Sequence, residues 1–297
     1  MTLRRGTVVW LAAAVAVLLA AGLSGVVSTA KAEDGAIRYV ALGDSYTAGP
    51  VIPNQAPDPP GCSRSDHNYP HLVAAWTGAE LRDVSCSGAT TKDLFAPQAV
   101  RGGANEPQLA TLSADATLVT VGIGGNDIGF GDIVVSCLAV SPLGTPCRDR
   151  HVGPGGDRIS ARIAETAPRI ATVLAEIGRR APSADVLVVG YPAILPDTYD
   201  GCWPVMPVAW QDVRYLRDKE KELNAMLAQQ AAAAGARYVD TYGPSQGHDA
   251  CALPGVRWVE PVVPLAPAAP VHPNADGMQA TARAVVLALA VTAAAGG

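Results

Sequence analysis

The sequence predicts a doubly wound α/β fold on three observations. Five short runs rich in Val, Ile or Leu are spread along the chain, longer helix-compatible stretches lie between them, and small polar residues follow three of the runs directly. The runs, residues 37–42, 81–84, 117–121, 185–189 and 237–240, read as buried parallel strands because they are short and β-branched. Stretches 69–76, 158–179, 211–234 and 275–292 suit helices, and Asn274 serves the last as N-cap. Strands alternating with helices give a mostly parallel five-stranded sheet covered on both faces. No repeat, charge block or linker divides residues 33–297, which are expected to form a single domain. The Pro-rich pieces 51–60 and 261–273 are expected as surface excursions.

Composition excludes several classes. The 297 residues are 49% hydrophobic and 16% charged, with 30 Gly and 24 Pro, too apolar and too punctuated for a disordered tail or a coiled coil. Aromatics make up only 5%, so the core must be built mainly from Ala, Val, Leu and Ile. A net charge of −5 without a basic run speaks against a nucleic-acid partner, because neutralising phosphates needs clustered Lys and Arg.

The N-terminus stands apart. Arg4 and Arg5 precede an almost continuously apolar stretch from 8 to 27, and Ala30-Lys31-Ala32 supplies small residues where a signal peptidase cuts. Residues 1–32 are expected to be a signal peptide, with an uncleaved membrane anchor as the alternative, since about twenty apolar residues nearly span a bilayer. Cleavage removes the positive charges of Arg4, Arg5 and Lys31 and takes the net charge from −5 to −8. The expected location is therefore secreted or cell-envelope. Six cysteines fit that oxidising compartment, and none forms a C-x-x-C unit. They fall into sequence-local pairs, Cys62 with Cys86, Cys137 with Cys147 and Cys202 with Cys251, each stapling a Pro/Gly-rich loop.

In a sheet of this type functional groups gather at the carboxyl ends of the strands. Gly43-Asp44-Ser45 follows the first run, Ser87-Gly88 the second and Gly124-Gly125-Asn126-Asp127 the third. A serine in such a turn presents its hydroxyl but needs a base to become a nucleophile. Of five histidines only His272 sits in a Pro-fixed turn just before a helix, where it points back over the strand ends. An attacked ester carbonyl then needs fixed donors for its oxyanion. The N–H groups of Ser45 and Gly88 and the side-chain amide of Asn126 suit that role, Gly88 because it has no side chain to obstruct the pocket.

Gly43-Asp44-Ser45-Tyr46, Ser87-Gly88, Gly125-Asn126-Asp127 and His272-Pro273-Asn274 resemble, in order, the four blocks of the SGNH (GDSL) hydrolases, over nearly the whole chain past residue 33. The three-disulfide layout looks like that of secreted actinobacterial esterases and lipases of the family. The resemblance implies a three-layer α/β/α sandwich, flavodoxin-like in its sheet. It implies Ser45 as nucleophile, His272 as base, and Ser45, Gly88 and Asn126 as oxyanion donors. One position departs from the pattern: Ala269 stands where the family usually carries the Asp that orients the histidine, and 261–271 holds no acid. A Ser–His dyad follows, in which the main-chain carbonyl of Ala269 is expected to orient His272; Glu260 is the alternative acid.

Two other motifs compete. Gly243-Pro244-Ser245-Gln246-Gly247 fits the G-x-S-x-G elbow, but no helix-like segment follows it, so Ser245 reads as a loop residue. Asp66, His67 and His71 have a spacing that can hold a metal, yet no third histidine is near, and they read as solvated side chains on the surface. Asp44 and Asp127 are read as bonding their own turns. The expected activity is hydrolysis of an acyl-lipid or short-to-medium-chain ester by a monomer that needs no metal or organic cofactor, with transient contact to a membrane or the envelope. An acyltransferase using the same site and a non-catalytic lipid-binding module remain the rivals.

Overall fold

The computed structural model describes residues 36–295, so the expected signal peptide lies outside the described residues. Five strands form one parallel sheet: β1 (Arg38–Gly43), β2 (Glu80–Asp83), β3 (Leu118–Gly122), β4 (Asp185–Val189) and β5 (Arg237–Val239). Their spatial order is β2-β1-β3-β4-β5, with every neighbouring pair parallel. This is the flavodoxin-like order, and the chain reverses its direction of travel between β1 and β3.

Burial on both faces explains the composition of the strands. In β1 Tyr39 and Ala41 face one side and Val40 and Leu42 the other, all buried. Among the described residues seven α-helices accompany the sheet: α1 (Ser45–Ala48), α2 (Tyr69–Thr77), α3 (Phe130–Ser136), α4 (Pro146–His151), α5 (Arg158–Arg180), α6 (Trp210–Ala233) and α7 (Ala275–Ala295). Helices α5 and α6 pack together on the face of Val40, Val119 and Val188, burying Ile163, Ile170, Val173 and Leu227. Helices α2 and α7 cover the other face, where Tyr69, Val73, Met278 and Val285 meet Tyr39, Leu187 and Val239. The result is the three-layer α/β/α sandwich.

Helix ends follow capping chemistry. The Asp157 carboxylate accepts from the N–H groups of Ile159 and Ser160 at the start of α5, and Asn68 caps α2 by accepting from the N–H of His71. At α7 the Asn274 side chain accepts from the N–H of Gly277 at 3.1 Å, so the N-cap sits where the sequence placed it. All three disulfides join the expected partners, Cys62–Cys86, Cys137–Cys147 and Cys202–Cys251. Among the described residues no helix is long and apolar enough to cross a membrane.

Candidate active site

Ser45 lies at the turn from β1 into α1. The chain passes from strand to helix there within one residue, and Gly43 permits it: a Cβ at Gly43 would stand 2.2 Å from Thr47 Oγ1 and 2.8 Å from the carbonyl of Gly122. The buried carboxyl of Asp44 fixes the turn, accepting from the Tyr46 N–H at 2.9 Å and the Tyr191 hydroxyl at 2.6 Å, while Tyr191 accepts from the Gly125 N–H at 2.8 Å. Burial pushes the Asp44 pKa up to about 7, against the lowering pull of these hydrogen bonds.

The imidazole comes from the turn before α7. His272 Nε2 lies 2.8 Å from Ser45 Oγ, across 227 positions of sequence. Its Nδ1 meets the carbonyl of Pro270 at 2.7 Å. The Ala269 expectation is therefore corrected by one residue. Val271, between Pro270 and His272, adopts a left-handed φ of 58°, which folds the Pro270 carbonyl back under the ring, while the Ala269 N–H is held by the carbonyl of Pro50 at 3.1 Å. A carbonyl only accepts, so Nδ1 carries the proton and Nε2 keeps a lone pair facing the serine. Burial lowers the His272 pKa, and the bond to Pro270 partly offsets it.

Glu260 is not the orienting acid. Its buried carboxylate accepts from Leu265 N–H at 2.9 Å, Ala266 N–H at 3.3 Å and Asn274 Nδ2 at 2.9 Å, with Arg257 Nη1 at 3.9 Å. Its backbone N–H donates to the His272 carbonyl at 2.9 Å. Glu260 thus holds the chain on both sides of the histidine. The Tyr46 hydroxyl adds a tie from the serine helix, donating to the Val271 carbonyl at 2.6 Å, and the Tyr46 ring lies 4.9 Å from the imidazole.

Gly88 sits in the turn beyond β2, joined to β1 by the Cys86 N–H, which donates to the Gly43 carbonyl at 3.0 Å. Space is not what requires a glycine there: a Cβ would meet only Gln98 Nε2, at 3.8 Å, and it is the φ of 79° that demands one. Asn126 follows β3. One of its amide hydrogens goes to the Ala89 carbonyl at 2.8 Å, which aims the amide beside Gly88 and leaves its second N–H to offer. Asp127, expected to bond its own turn, instead reaches the neighbouring loop and accepts from the N–H and hydroxyl of Thr91.

The competing motifs separate from this group. Ser245 Oγ donates to the Tyr242 carbonyl at 2.9 Å and accepts from the Ala193 N–H at 2.7 Å, deep in a loop, while nearby His248 stacks on Trp258 and bonds the Val256 carbonyl. His67 bonds Asp66, and His71 turns to Asn68 at 2.8 Å. Among the described residues the one group of three potential metal ligands is Cys137, Cys147 and His151, and its two cysteines are joined in a disulfide, without a thiolate.

A cavity of about 100 Å³ opens at Ser45 and Asn126 and runs between apolar side chains of Phe130, Ile133, Leu195, Met206, Val208 and Leu223. The Pro-rich residues 51–62 supply none of its lining, whereas Cys137 and Leu138 do. Sequence reasoning missed Tyr191, Phe130 and the α6 residues that complete the wall. They fall outside any motif and reach the site only through packing.

An α/β/α sandwich that opens an apolar pocket at its topological switch point, under a serine and a neutral imidazole, defines a carboxylic ester hydrolase. The chain belongs to the GDSL-like lipase/acylhydrolase family, whose model matches residues 41–280. It is 44% identical over 245 residues to Lipase 2 of Streptomyces coelicolor, covering 80% of this chain and 81% of that one. The crystal structure of an extracellular lipase from Streptomyces rimosus matches with a TM-score of 0.70 and 31% identity, over 85% of this chain and 98% of that one. Phospholipase A1 from Streptomyces albidoflavus matches with a TM-score of 0.70 and 29% identity, over 83% and 96% respectively.

Proposed function

We propose that this protein is a secreted serine esterase or lipase that cleaves acyl-lipid or short-to-medium-chain esters through an acyl-enzyme on Ser45. The observation that carries the reading is the 2.8 Å approach of His272 Nε2 to Ser45 Oγ at the mouth of an apolar pocket. His272 Nε2 takes the serine proton as Oγ attacks the ester carbonyl. The carbonyl oxygen becomes an oxyanion, for which the N–H groups of Ser45 and Gly88 and the free N–H of Asn126 Nδ2 are the donors. The imidazolium, its Nδ1–H held by Pro270, gives the proton to the leaving alcohol. Water then enters, loses a proton to Nε2 and releases the acid. The apolar pocket takes the acyl chain by excluding water from it. Three disulfides and the apolar N-terminal stretch support export, and relatives named as lipases support a lipid ester.

The test is a chain-length series of chromogenic esters on wild type, Ser45→Ala and Ser245→Ala, with a covalent serine probe read by mass spectrometry. Turnover and labelling are expected to vanish only in Ser45→Ala. Loss in Ser245→Ala alone would overturn the mechanism, and product shifted wholly to an added alcohol would make the protein an acyltransferase.

A further inference from the structure

The acyl pocket is apolar along most of its wall, with one exception that the chemistry at Ser45 does not use. Helix α6 presents Leu216, Lys219, Glu220 and Leu223 to it, a single face of the helix at spacings of three and four. Lys219 turns its ammonium away, to Asp157 at 3.1 Å and Glu222 at 2.7 Å, so only its aliphatic stem belongs to the wall. Glu220 has no such outlet. Its Oε2 accepts from the Ile194 N–H at 3.2 Å, and its Oε1, withdrawn from solvent, has no hydrogen-bond partner.

Burial drives the Glu220 pKa well above the ordinary glutamate value, which favours the protonated form. Neutral, it has an O–H to donate and oxygen to accept with. Leaving such a group unmatched in an apolar wall is costly, and a pocket that needed only to bind alkyl chains would be served better by Leu or Met. The terminal carboxyl torsion is soft, which leaves the unbonded oxygen free to turn toward the pocket that Glu220 lines.

We propose that Glu220 makes this pocket selective for acyl chains that carry a hydroxyl group, which bonds the Glu220 carboxyl when the chain is seated. The inference rests on the pocket being the acyl site of the esterase reading above. A hydroxyl placed at the right carbon satisfies both partners, whereas the same hydroxyl elsewhere on the chain is buried against Leu, Ile or Val unbonded. Selectivity of this kind is positional.

The experiment compares kcat/KM for a plain medium-chain p-nitrophenyl ester with that for its monohydroxylated analogues, the hydroxyl moved one carbon at a time. Wild type is expected to favour one position by roughly ten-fold over the others, the size of one well-made hydrogen bond in a dry site. Glu220→Leu is expected to erase that advantage, read as the ratio of hydroxylated to plain ester whatever the absolute rate, and Glu220→Gln, which still donates and accepts, to keep it. Because each enzyme is read as a ratio between substrates, a partly misfolded variant lowers both terms and leaves the ratio alone. No favoured position in wild type, or an advantage that survives in Glu220→Leu, overturns the proposal while leaving ester hydrolysis intact. Failure of wild type to cleave the plain ester would instead overturn the esterase reading, and this proposal with it.

Discussion

In the proposed mechanism His272 sets the pH dependence of the site. Burial lowers its pKa, so Nε2 keeps its lone pair to a lower pH than an ordinary imidazole would. Activity rises as pH climbs through the histidine pKa, because only the neutral ring accepts the Ser45 proton. A profile of kcat/KM against pH is expected to show its acid limb below the usual histidine value of about 6.5, and a limb at or above that value contradicts the burial argument. Asp44 works in the opposite direction, on stability. Its carboxyl titrates near 3.8 when unfolded and at about 7 when folded. Below the lower value its contribution is fully present; between the two the unfolded chain ionises first, and folding stability falls as pH rises. Asp44→Asn, which keeps the acceptor for Tyr46, removes that titration. Unfolding free energies from urea titrations across this window are expected to fall more steeply for wild type than for the variant, by about a few kcal/mol in all; parallel curves refute the assignment. Asn126→Ala removes one proposed oxyanion donor and is expected to lower kcat by about 10²-fold or more with little change in KM. An unchanged kcat would leave Asn126 as a turn residue that only bonds Ala89.

The turn carrying His272 is an element with its own scaffold. Its β-branched Val271 at a φ of 58° is strained, and such a conformation persists only when surrounding contacts over-determine it. Glu260 supplies those contacts, bonding Leu265 and Ala266 before the histidine and Asn274 after it. Glu260→Ala is expected to drop kcat at least ten-fold and to cost about 3–5 kcal/mol of stability by leaving the Leu265, Ala266 and Asn274 donors and the nearby Arg257 guanidinium without their acceptor, with Glu260→Gln recovering part of kcat. A variant that loses stability alone, with kcat intact on the folded fraction, would make Glu260 purely structural. The same turn marks the limit of what the sequence displays. Strands and long helices were legible because burial on both sheet faces demands continuous Val, Ile and Leu, and because Asp157 and Asn274 are ordinary caps. Ser45, Gly88, Asn126 and His272 were legible as a set because each follows a strand or precedes a helix. Which carbonyl meets Nδ1 was not, since it depends on the left-handed Val271, and nothing in Ala269-Pro270-Val271 announces that conformation. Helices α3 and α4 were missed in a stretch punctuated by Gly144, Pro142 and Pro146. Glu220 was hidden because Asp218-Lys219-Glu220-Lys221-Glu222 reads as a solvated charged face.

At the scale of the whole molecule, stability and activity are divided between two ends. The sheet and its four long helices contain no cysteine, so no disulfide ties these elements to one another. All six cysteines lie in the segments beyond the carboxyl ends of the strands, where Ser45, Gly88 and Asn126 also stand. Cys62–Cys86 pins the turn before Gly88, Cys137–Cys147 pins α3 and α4 against the pocket, and Cys202–Cys251 joins the approach to α6 with the loop after β5. Each closes a loop worth about 3–4 kcal/mol in chain entropy, so their sum rivals the net stability of a domain. The site end therefore depends on the bonds more than the sheet does. Cys202 and Cys251 are partly exposed whereas the other four are buried, so a thiol reductant is expected to open Cys202–Cys251 first. With reductant present, a denaturant titration is expected to separate two midpoints, esterase activity failing at lower denaturant than the far-UV helix and sheet signal. Alkylation and mass spectrometry at each point report which bond has opened. Coincident midpoints, or full activity after complete reduction, would mean that packing alone orders the pocket and that the disulfides are dispensable to it.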